Sequence, residues 1–69
     1  MKYKHAIDLL KHEANECEDN IRIFGELLDE GSSRSQPVIK FWSEEKVKNK
    51  NVLAELNAAI TLLEKENQA

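Results

Sequence analysis

The amino-acid sequence predicts an all-α fold: an antiparallel hairpin of two long helices, with two such hairpins associating into a four-helix bundle. Three observations lead there. The composition suits solvated helices, since 33% of the 69 residues are Asp, Glu, Lys or Arg, with two glycines and one proline. Apolar or small residues recur at alternating steps of four and three along both halves of the chain. A serine-rich stretch that ends in the proline, GSSRSQP, divides that pattern into halves of nearly equal length.

The first half sets Tyr3, Ile7, Leu10, Ala14, Cys17, Ile21, Phe24 and Leu28 on one stripe. A period of 3.5 held over four heptads predicts one helix over residues 2–30, packed along its length against another. Glycine is the usual left-handed residue just past a helix end, so Gly31 is the expected stop. A loop over 31–36 follows, with Ser35 or Gln36 as the next cap. Pro37 then falls in the first turn, where its missing N–H costs nothing.

The second half repeats the rhythm with Ile39, Trp42, Lys46, Asn49, Leu53, Leu56, Ile60 and Leu63. This predicts a helix over 37–67, against a competing reading in which Ser43 caps a shorter helix from Glu44. Two long helices joined by a short loop must run antiparallel, giving one helical-hairpin domain over residues 1–69.

With the turn centred near residue 33, residue i is expected to face residue 66 − i. Phe24 then lies near Trp42, Leu10 near Leu56 and Ile7 near Ile60. The acidic run Glu13, Glu16, Glu18, Asp19 falls beside Lys46, Lys48 and Lys50, and Lys2 and Lys4 fall beside Glu64 and Glu66. Such opposed charges select an orientation, while the apolar seam supplies most of the stability. Lys46 and Asn49 are set opposite Ile21 and Cys17. There they either penalise slipped registers or, for the lysine, lay an aliphatic stem over the seam with the ammonium in water.

A two-helix seam does not use all the apolar side chains. Ala6, Leu9, Ile23 and Leu27 flank it on the first helix, and Val38, Phe41, Val52, Ala59 and Leu62 on the second. They widen the apolar face to what a bundle helix buries on two sides. The expected protein-interaction residues are therefore Leu9, Ile23, Leu27, Val38, Phe41, Val52 and Leu62. A second copy related by a twofold axis is the simplest partner, and a heterologous protein is the alternative. A chain this short gains only about 3–5 kcal/mol from its own core, which also favours a partner.

Residues 12–16, HEANE, have the form of the zincin motif H-E-x-x-H with glutamate replacing the second histidine. His12 and Glu16 share a helix face, and Glu13 would be the general base of a metal-dependent hydrolase. Such a site needs a third ligand, and His5 lies about 10.5 Å along the axis from His12. The expected role of this stretch is solvated helix surface, with no metal and no cofactor. Cys17 is expected as a small buried hydrophobe rather than a reactive thiol, and a lone cysteine forms no intrachain disulfide.

No glycine-rich phosphate loop and no G-x-S-x-G element is present, so the sequence points away from an enzyme. The expected function is a protein-interaction module acting as adaptor, scaffold or inhibitor. The alternative is a dimeric RNA-binding regulator, for which Lys46, Lys48 and Lys50 are the one basic cluster. A net charge of −3 argues against phosphate binding. The stretch HEANECEDN offers a further reading as bait for a basic protein surface, although charge runs are usually solvated helix face. No apolar run reaches membrane-spanning length, and the polar faces are not lysine-rich as anionic lipid would require. The expected location is cytoplasmic.

Overall fold

The computed structural model describes residues 2–30 and 35–68. They form two helices that pack against each other as a hairpin, α1 (Lys4–Glu30) and α2 (Gln36–Gln68). The expected stop at Gly31 and the first four loop positions, 31–34, lie outside the described residues. Contacts between the helices near the free ends and in the middle fix the antiparallel direction: Lys2 with Asn67, Lys11 with Glu64, and Asn20 with Asn49. The result is a rod with extents of 53 × 14 × 13 Å.

Helix α1 starts two residues later than the periodicity suggests. Tyr3 has a φ of 61°, in the left-handed region that a non-glycine residue enters at a cost of about 1–2 kcal/mol. Its carbonyl accepts the first helical hydrogen bond from the Ile7 N–H at 2.8 Å. The backbone N–H of Lys2 donates to Asn67 Oδ1 at 2.6 Å, tying this reversed entry to the end of α2. Tyr3 is therefore a cap, not a seam residue, and its side chain is half exposed. The seam begins at Ile7.

Helix α2 begins with Ser35 as its cap, whose carbonyl accepts from the Ile39 N–H at 3.1 Å. Pro37 sits at the second helical position. The helix runs without interruption through Ser43. Asn49 and Thr61 turn their side chains back onto their own helix, Asn49 Nδ2 donating to the Glu45 carbonyl at 2.7 Å and Thr61 Oγ1 to the Asn57 carbonyl at 2.9 Å.

The core lies toward the free ends of the rod. Ile7, Ala14 and Ile60 form its centre, with Leu10, Leu53, Leu56 and Leu63 packed against them. Cys17 is buried as well. Toward the loop the seam continues with Ile21, Phe24, Leu28, Ile39 and Trp42, all only half-buried. Two helices one layer thick cover one flank of each such side chain and leave the other wet.

The register departs from the sum of 66. Asn20–Asn49 and Lys2–Asn67 each give a sum of 69, and the longer side chains of Lys11–Glu64 give 75. The cause is the lean of helical side chains toward the N-terminus of their own helix. In an antiparallel pair the two leans are opposed, so touching residues lie about two positions further along in total than residues at equal height. Asn49 bonds to Asn20, which lies between Cys17 and Ile21 in α1, and the Lys46 ammonium lies near Gly25.

The expected charge alignment is also corrected. Among the described residues no ion pair joins the acidic run of α1 to Lys46, Lys48 or Lys50, nor Lys2 or Lys4 to Glu64 or Glu66. Charges are instead satisfied one turn away on the same helix, in Lys4–Asp8 (2.7 Å), Arg22–Glu26 (3.3 Å) and Lys40–Glu44 (3.9 Å). Lys11–Glu64 at 3.4 Å is the one ion pair that crosses between the helices among the described residues. Neighbours four residues apart need little side-chain ordering to meet, which outweighs a longer reach across the hairpin.

Candidate protein-interaction surface

Labelling the seam positions a and d of a heptad, Ile7 and Ile39 both take a. The flanking apolar residues of both helices then fall at c and g: Ala6, Leu9, Ile23 and Leu27 on α1, and Val38, Phe41, Val52, Ala59 and Leu62 on α2. Positions c and g are neighbours about 40° apart on the helical wheel. In an antiparallel pair, g sides meet g sides and e sides meet e sides. Two contacts identify the sides here. Lys11 and Glu64, both at e, are paired on one flank. Asn20 at g donates through Nδ2 to Asn49 Oδ1 at 3.2 Å on the other. The flanking apolar residues of both helices therefore lie on the same face of the hairpin.

Most of that face is open. Leu9 is 62% exposed, Phe41 55%, Leu62 65% and Ile23 44%. Val38 and Ala6 are exposed too, whereas Leu27, Val52 and Ala59 are half-buried. The residues gather in two patches. Leu9 and Leu62, with Ala6 and Ala59, lie near the free ends. Ile23, Leu27, Val38 and Phe41 lie toward the loop. Leu9 and Leu27 are 18 residues apart, about 27 Å along the helix. Between the patches the face carries Glu13, Glu16, Asn20, Glu45, Lys48 and Glu55, interrupted by Val52.

The opposite face, built from e and b positions, holds Lys4, Asp8, Lys11 and Arg22 from α1, and Lys40, Lys50, Asn57 and Glu64 from α2. On it Asp8 accepts a hydrogen bond from Lys4, which with the lysine charge holds its carboxyl below the ordinary 3.8. Val47, 57% exposed, is the one large apolar side chain there among the described residues. The flanking-residue pattern missed it because a single apolar residue at b makes no stripe.

The HEANE stretch lies on the outside of α1. His12 Nε2 is 3.1 Å from Glu16 Oε1, an ion pair when the imidazole is protonated, and both side chains are more than half exposed. Among the described residues no group of three or more His, Cys, Asp or Glu side chains converges as a ligand set. Lys46, Lys48 and Lys50 follow at two-residue steps, about 200° apart around the helix. Lys46 and Lys50, four residues apart, lie within about 40° of each other, while Lys48 points to the opposite flank, so the three do not gather on one face; the Lys46 ammonium lies near Gly25. Among the described residues no helix is long and apolar enough to cross a membrane. A scan against models of known protein families, a search of curated proteins and a search of solved structures each return no match.

Proposed function

We propose that this chain is a self-associating helical hairpin, a non-enzymatic protein-interaction module that serves as adaptor, scaffold or inhibitor of another protein. The observation that carries the reading is the placement of both flanking apolar stripes on one face of the hairpin. Scattered apolar residues on a protein surface are ordinary, but nine small or apolar residues sharing one face of a 69-residue chain are not.

The surface area supports a second copy as the first partner. The chain exposes 5254 Å², whereas a compact monomer of its 7.9 kDa exposes about 4,400 Å². The difference is close to the roughly 800 Å² that each partner buries in a stable interface of standard size. The half-buried loop end of the seam points the same way, since the two helices leave Ile21, Phe24 and Trp42 partly uncovered.

Molar mass by light scattering during size exclusion, over a wide range of loading concentration, tests the reading. The expected result is twice the chain mass, falling toward the chain mass on dilution, with Leu9→Glu and Phe41→Glu shifting the transition to higher concentration. A monomer at every concentration that stays folded would refute self-association.

A further inference from the structure

We propose that the second copy docks on the c/g face in the opposite direction, so that the two loops lie at opposite ends of the bundle. The inference rests on the self-association reading and adds the geometry of the partner. A twofold dimer through this face has two choices. In the same-direction arrangement each α1 lies over the partner's α2, and like ends meet. In the opposite-direction arrangement α1 lies over α1 and α2 over α2, and each free-end patch meets a loop-end patch.

Side-chain volume favours the second choice. The free-end patch alternates Leu9 and Leu62 with Ala6 and Ala59, whereas the loop-end patch is built from Ile23, Leu27, Val38 and Phe41. Small residues opposite large ones keep helix separation even along a bundle. With like ends together, Leu27 meets Phe41 at the loop end while each free-end leucine meets an alanine, so the bundle is wider at one end; in opposite directions each end combines one patch of each kind.

Charge in the middle of the face favours it as well. In the opposite-direction dimer Val52 meets its own mate near the twofold axis, and Lys48 faces Glu55 of the second copy, twice by symmetry. Glu16 also approaches its own mate, one meeting of like charges. In the same-direction dimer Glu55 faces Glu13 and Glu16 of the second copy, twice, and Lys48 faces Asn20 and Ile23. Opposite signs across an interface select orientation even where they add little affinity.

Spin labels at Lys40, in a Cys17→Ala background so that each chain carries one thiol, test the geometry. Lys40 is exposed and lies 12 residues from Val52, off the c/g face. Opposite directions place the two labels about 35–40 Å apart, and like directions place them within about 20 Å, the width of a bundle. Scattering mass on the same labelled sample separates the outcomes. A dimer with the long distance is expected, and a dimer with the short distance overturns the inference while leaving self-association intact. A monomer overturns self-association itself. As a second measurement on the untagged chain, Lys48→Glu should weaken the dimer about tenfold, and adding Glu55→Lys should restore it. A double variant no tighter than the single one also overturns the inference.

Discussion

Replacing Gly25 by alanine should make the protein more stable. Gly25 lies in the interior of α1, where glycine is less favourable than alanine by about 0.8–1.0 kcal/mol because it has more backbone freedom to lose. The obstacle would be space, and the structure provides it. A Cβ built on Gly25 lies 3.6 Å from Lys46 Nζ and 3.9 Å from its Cε, ordinary van der Waals contact with the end of a flexible side chain. Partial dehydration of that ammonium subtracts a few tenths of a kcal/mol, and its stem can swing aside. A net gain of about 0.5–1 kcal/mol remains, which for a chain of this size raises Tm by about 2–8 °C. Urea unfolding by circular dichroism, with wild type and variant at equal concentration, is the assay; the midpoint should rise and the slope stay unchanged. A lower midpoint would refute the reasoning. It would mean that another surface approaches the Gly25 backbone more closely than Lys46 does.

Three other outcomes follow from the core, the polar layer and the charges. Ile7→Ala, at a side chain only 1% exposed, should cost about 2–5 kcal/mol, comparable to the whole stability of so small a core; loss of cooperative thermal unfolding by circular dichroism is the readout. Asn49→Leu should raise stability by about 1 kcal/mol, because Asn20 is exposed and can turn to water. The same change removes the hydrogen bond that marks the register, so amide spectra should show more than one set of peaks. For Asp8 the folded pKa is lowered by Lys4, so its contribution to stability is full above the unfolded carboxyl pKa and fades as pH falls through the folded value. Carbon-detected titration should place the Asp8 midpoint below 3.8, and Lys4→Met should bring it back.

The a and d positions were legible because period fixes face. Every seam position from Ile7 to Leu63 is buried or half-buried, including Lys46 and Asn49. The flanking residues were legible for the same reason, although that they share one face needed the antiparallel pairing of g with g. Two things were not legible. Tyr3 continues the heptad in sequence, and no residue type there announces a left-handed backbone; only the hydrogen bond from Lys2 to Asn67 shows what holds it. The ion pairs were misread across the hairpin because charges scattered along two helices offer many partners, and among the described residues those taken lie within one turn, apart from Lys11–Glu64. The lean of side chains then moved the contacts by most of a turn, which formal residue counting ignores.

The rod shape has a hydrodynamic consequence. At 53 × 14 × 13 Å the hairpin has an axial ratio of roughly four, so as a monomer it diffuses like a globule of greater mass. Pairing two such rods side by side thickens them without lengthening them and brings the ratio down to roughly two in one cross-section. Friction therefore rises by less than the doubled mass implies, and rotation about the long axis slows more than end-over-end tumbling. The anisotropy of backbone NMR relaxation should consequently fall on association, giving a signature of side-by-side assembly that end-to-end stacking would reverse.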